Sequence, residues 1–75
     1  MTKEYLKKKT AIIIRKNGEY LVGKALYSED LRWSISPYDA WKTRNYQKAR
    51  RVARATGGIM VLFNPVINKM KVIGT

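Results

Sequence analysis

The chain contains no cysteine and no histidine. The first absence excludes disulfides and thiolate chemistry, so a small domain must hold itself together by packing, with or without self-association. The second removes the commonest general base and the commonest metal ligand together. Acids are scarce as well: five Asp and Glu stand against sixteen Lys and Arg, and none follows Asp39. Glu29-Asp30 stands in a polar turn without the spaced oxygen ligands of a calcium loop, and Asp39 suits the ordering of a turn after Pro37. These shortages argue against an enzyme and predict no metal and no cofactor. Long apolar runs are missing too. The longest, residues 11–14 and 59–63, fall far short of the roughly twenty residues that span a bilayer. Residues 1–9 are basic, but the apolar run behind them is too short for a secretory signal and is interrupted by Arg15-Lys16. The expected setting is therefore the cytoplasm, with an unprocessed product and no membrane partner.

What remains is a chain of 75 residues with a net charge of +11. That length supports one domain with a small core and no elaborate cavity. The charge is unevenly placed: residues 40–75 carry +8, and residues 1–39 carry +3. A field of this kind favours polyanions, nucleic acid first, then anionic lipid or an acidic protein face.

Residues 1–9 read as a basic, flexible arm and residues 10–75 as a single α+β domain. Ala11-Ile12-Ile13-Ile14 is β-branched, and Asn17-Gly18 is a strong hairpin signal because both central positions of a type I′ turn need positive φ. Residues 19–26 return as a second strand, with Lys16 set opposite Glu19. Residues 27–30 form a polar turn. Residues 31–36 alternate strictly and predict a third strand with Leu31, Trp33 and Ile35 on one face. Pro37 ends it and predicts a compact turn or a single helical turn. Asn45 or Thr43 caps a helix that Gly57-Gly58 terminates. Tyr46, Ala49, Val52, Ala53 and Thr56 recur at three- and four-residue spacing, which predicts a narrow small-residue face lying on the sheet. Ile13, Leu21, Trp33 and Val61 are expected beneath it. Residues 59–63 form an apolar, central strand, Asn64-Pro65 breaks it, and residues 69–73 close the chain as an edge strand with outward lysines. The order is β-β-β-α-β-β, an antiparallel sheet with one helix across one face.

The strongest functional signal lies on the far side of that helix. Gln47, Arg50, Arg51 and Arg54 share one spacing, Lys48 flanks them and Arg44 precedes them, so five positive charges fall within eleven residues. Arginine offers planar, multidentate contacts to phosphate or base edges. Repulsion between Arg50 and Arg54 costs helix stability unless something anionic relieves it. Tyr38 and Trp41, interleaved with Arg32, Lys42 and Arg44, are candidate stacking or anchor groups, with core packing the more common fate of tryptophan. Gly57-Gly58 follows a helix and does not precede one, so it reads as a C-terminal cap and not a phosphate cradle.

The run Ser36-Pro37-Tyr38-Asp39-Ala40-Trp41-Lys42-Thr43-Arg44, followed by Val52-Ala53, Gly57-Gly58 and Phe63-Asn64-Pro65, resembles small uncharacterised proteins of phages and mobile elements of Gram-positive bacteria. The likeness covers residues 12–65 or so. It implies a viral or mobile-element origin in a bacterial host, and it transfers no functional residue. The run from Asn17-Gly18 to the helix is also weakly similar to the three-strand-plus-helix DNA-binding modules of phage-type tyrosine recombinases, which read DNA with the sheet. The extra C-terminal hairpin departs from that pattern. Two functions are compatible with these residues: nucleic-acid binding (DNA or RNA) through the helix face, or docking of a phage-encoded protein on an acidic host protein or nucleoprotein complex, which it would modulate or inhibit.

Overall fold

The type I′ geometry that Asn17-Gly18 favours forms, with φ of 53° and 78° at the two residues. It joins β1 (Ala11–Lys16) to β2 (Glu19–Val22) and sets Lys16 opposite Glu19. The computed structural model describes residues 9–22 and 32–74. The basic arm up to residue 8, the continuation of the second strand and the 27–30 turn lie outside them. Chain order continues with β3 (Arg32–Ser34), a short 3-10 helix (Pro37–Asp39), α1 (Tyr46–Thr56), β4 (Ile59–Asn64) and β5 (Lys69–Gly74). The strands form one antiparallel sheet in the order β3-β2-β1-β4-β5, with α1 across one face. The fold is α+β. Among the described residues no helix is long and apolar enough to cross a membrane.

Both ends of α1 follow from its sequence. The Asn45 side chain accepts a hydrogen bond from the Lys48 amide at 3.1 Å, and Thr43 supports the approach by accepting from the Asn45 amide at 3.1 Å. Gly57 takes the left-handed conformation at φ 73°, and the Gly58 amide donates to the Ala53 carbonyl at 2.9 Å. Lys16 completes this end: its ammonium donates to the Thr56 carbonyl at 3.0 Å, where a cation meets the negative pole of the helix.

The sheet buries apolar side chains on both faces, which corrects one expectation. Ile12, Ile14, Leu21 and Met60 pack with Ala49 and Ala53 on the helix side, joined by half-buried Trp33, Trp41, Val52, Leu62 and Ile73. Ile13 and Val61, expected beneath the helix, instead join Tyr20, Ala40 and Phe63 on the opposite face. Period-2 alternation forces this split, since Ile13 pairs with Val61 while Ile12 pairs with Leu62. On the helix-free face the Tyr20 hydroxyl donates to Met70 Sδ at 3.4 Å, and the Tyr38 ring meets Phe63 edge-on at 5.3 Å.

The third strand is shorter than its alternation predicts. Its ladder ends at Ser34 because the Ser36 amide donates to the Ser34 hydroxyl at 3.1 Å and Pro37 has no amide to offer. Ile35 is consequently 81% exposed and not aligned with Trp33; Leu31 lies outside the described residues. The connection that follows does more than turn the chain. Trp41 donates to the Leu21 carbonyl at 2.8 Å, and Thr43 and Ile12 exchange both backbone bonds at 2.8 and 3.0 Å. Residues 41–43 are thus tied to both β1 and β2 beyond the point where those strands pair. In the β4–β5 hairpin, buried Asn64 accepts from the Val66 amide at 3.0 Å and starts the turn at Pro65.

The alanines of α1 allow a close approach that Gly58 makes obligatory. A methyl group on Gly58 would stand 2.7 Å from Ile14 Cγ2 and 3.0 Å from the Arg15 carbonyl oxygen. Gly58→Ala should therefore cost about 1–3 kcal/mol through overpacking. Thermal or urea unfolding of the two proteins measures it, and unchanged stability would contradict the tight junction between α1 and β4.

Candidate functional site

Of the residues in α1, only Ala49, Ala53 and Thr56 are buried. The buried stripe is narrow; half-buried Val52 flanks it on one side, and the rest of the helix faces solvent. Gln47, Lys48, Arg50, Arg51 and Arg54 are all exposed, as is Arg44 just before the helix. Residues 46–56 contain no acid to neutralise these cations.

Tyr46 does not join the sheet-facing stripe; it is 51% exposed. At about 100° per residue it lies some 60° round the axis from Ala49 and about 40° from Arg50, at the edge of the stripe where spacing admits either side, and the structure leaves it on the solvent side. Its ring therefore borders the arginines. Tyr46, Gln47, Arg50, Arg51 and Arg54 together line a shallow surface groove. Lys48 falls on the other flank and Arg44 lies before the first turn, so neither contributes to the lining. Residue spacing places the four polar members together, and only the structure adds the ring.

The two aromatics proposed as stacking groups are separated. Trp41 is half-buried against the helix-side core. Tyr38 is 52% exposed on the opposite face, where its hydroxyl donates to Asn68 Oδ1 at 3.3 Å. Alternation after the 3-10 turn sends Trp41 to the helix side, since its neighbour Ala40 joins the helix-free cluster, while Tyr38, within the turn, packs against Phe63 on the helix-free face. Tyr38 and Trp41 form no common platform. Lys42 is drawn back to the Tyr38 carbonyl, to which its ammonium donates at 3.2 Å.

Two further cations accompany the helix. Lys69 pairs with Asn64 and Lys71 with Leu62. Leu62 belongs to the helix-side core, so Lys69 and Lys71 project from that same face of the sheet. The outward lysines of the edge strand were legible in the sequence; their sharing a face with α1 was not, because that depends on strand register.

Chemically, the groove offers three guanidinium groups, a side-chain amide with donors and an acceptor, and a flat phenol ring. It can hold phosphate oxygens and planar groups. No protein-family model, no curated protein and no solved structure matches the chain.

An exposed like-charge pair at i, i+4 weakens a helix, and an opposite pair with the acid on the N-terminal side strengthens it, each by about 0.2–0.5 kcal/mol. Arg50→Glu converts the pair with Arg54 from the first kind to the second, so it should raise stability by about 0.4–1 kcal/mol. Denaturant unfolding at low salt checks this, and a lower midpoint in the variant would mean that Arg50 makes favourable contacts within the fold.

Proposed function

We propose that the protein is a small, non-catalytic nucleic-acid-binding protein that contacts the phosphate backbone through the exposed arginine face of α1. The observation that carries this reading is the groove in which Arg50, Arg51 and Arg54 line one surface beside Gln47, on a helix without a single acid. A solvated helix ordinarily mixes charges, because like charges one turn apart repel. Here that repulsion persists, and a polyanion would relieve it. Lys48 and Arg44 beside the groove, and Lys69 and Lys71 on the same face of the sheet, extend the positive field.

Support also comes from the rigidity of the mount. The helix is capped at both ends and seated on the core through Ala49 and Ala53, so the backbone points from which its outward side chains spring keep a fixed spacing. Base edges would be met by Gln47 and the arginines, and register would come from phosphate contacts.

Binding of this kind releases counterions, with a log–log salt slope of about −0.9 per phosphate neutralised on duplex DNA. Two or three contacts from the helix, with others from Lys48 and the arm, give a total slope of about −3 to −5. The triple variant Arg50→Glu, Arg51→Glu, Arg54→Glu should lose binding while keeping the fold, since none of the three is buried. Fluorescence anisotropy from low to physiological salt, with circular dichroism of both proteins, provides the test. Equal affinity in the two proteins would remove the helix face from the account. Absence of nucleic-acid binding at low salt in the wild type would instead favour docking on an acidic protein.

A further inference from the structure

We infer that the α1 groove is built for single-stranded nucleic acid, with Tyr46 as the group on which an unpaired base stacks. This rests on the nucleic-acid-binding reading and specifies its ligand. An exposed tyrosine alone is ordinary. What distinguishes Tyr46 is its position: half of its surface is open to solvent, and it lines the same groove as Gln47, Arg50, Arg51 and Arg54.

A duplex presents only base edges and phosphates, because the flat faces of its bases are covered by their neighbours. An aromatic ring among the binding arginines finds nothing to stack on there. A single strand leaves those faces free, and stacking on an aromatic side chain beside cationic groups is the usual way such strands are held. The groove supplies each part that this requires. Tyr46 offers the face, Gln47 a donor and an acceptor for a base edge, and the arginines reach the phosphates on either side.

Placement on the helix favours this use. Tyr46 opens the first turn of α1, directly after the Asn45 cap, so its backbone is held while its ring stays at the rim. One turn later, Arg50 stands beside it on the same flank. A base stacked on the ring would therefore place its own phosphate near Arg50, with Arg54 a further turn along. Trp41 and Tyr38 cannot take this role jointly, since they lie on opposite faces of the sheet.

The test compares a short mixed-sequence single strand, as DNA and as RNA, with a hairpin duplex of the same length at moderate salt. Wild-type protein should bind the single strands more tightly. Tyr46→Ala should weaken single-strand binding about ten-fold, the scale of one lost base stack, and weaken duplex binding far less. Tyr46→Phe should retain the preference, because the ring and not the hydroxyl makes the stack. Thermal unfolding of both variants confirms an intact fold, as the exposed position requires.

Equal or tighter duplex binding by the wild type would overturn the inference, as would an equal loss on both forms in Tyr46→Ala. Either result, with the triple arginine variant still inactive, leaves the nucleic-acid reading standing. The loss should be the same on DNA and RNA, because stacking uses the base and not the sugar. A loss confined to one of them would point to a sugar contact and overturn the stacking assignment. If the wild type binds none of these oligonucleotides at low salt, the broader reading fails with it.

Discussion

The close seating of α1 on the sheet is the constraint on which the rest of the molecule depends. Two fully buried alanines, Ala49 and Ala53, replace the large side chains that usually separate a helix from a sheet. The helix backbone can then approach Ile12, Ile14, Leu21 and Met60 directly. Most of the apolar burial comes from the sheet itself: Phe63, Ile13, Ile14, Leu21, Met60 and Val61 are the largest fully buried side chains. At about 1.5–3 kcal/mol each, they are the largest single side-chain contributions to the core, while the helix buries only small side chains of its own. Its value to the fold is to cover one face with a surface that fits. A narrow buried stripe leaves the wide remainder of the helix free for other use.

That remainder is occupied by charge of a single sign. The helix draws its stability from its caps, from Lys16 at its C-terminal pole and from packing, and so tolerates repulsion along the exposed side. The same seating fixes the backbone positions of the arginines along one side of the helix and leaves Tyr46 at the rim. Lys69 and Lys71, placed on the same side by the β4–β5 register, enlarge the field without enlarging the groove. Charge on this edge strand has a second consequence, since lysines there discourage pairing with another sheet.

Those features set by local chemistry were legible in the sequence. Asn17-Gly18 dictated the first hairpin, Asn45 and Gly57 marked the helix ends, and the spacing of Gln47, Arg50, Arg51 and Arg54 put them on one side. Features set by alternation within continuous apolar runs were not. Ala11-Ile12-Ile13-Ile14 and Ile59-Met60-Val61-Leu62-Phe63 are apolar at every position because both faces of the sheet are buried, so nothing in the pattern tells Ile12 from Ile13. Tyr46 sits at the edge of the helical stripe, where spacing alone admits either side. The ties from Trp41 and Thr43 to Leu21 and Ile12 are made by backbone groups, which leave no trace in side-chain pattern. Of the candidate site, the arginines could be read, whereas the ring beside them and the separation of Tyr38 from Trp41 needed coordinates.

In the proposed function the outward face of α1 is the surface that meets a polyanion. The most direct measurement is the change in backbone amide chemical shifts as a short oligonucleotide is titrated in at low salt. The changes should concentrate on the residues of α1 from Tyr46 to Arg54, with smaller ones at Lys69 and Lys71, while Tyr38, Phe63 and Val72 on the helix-free face stay still. Changes centred on that opposite face, or none at saturating oligonucleotide, would contradict it.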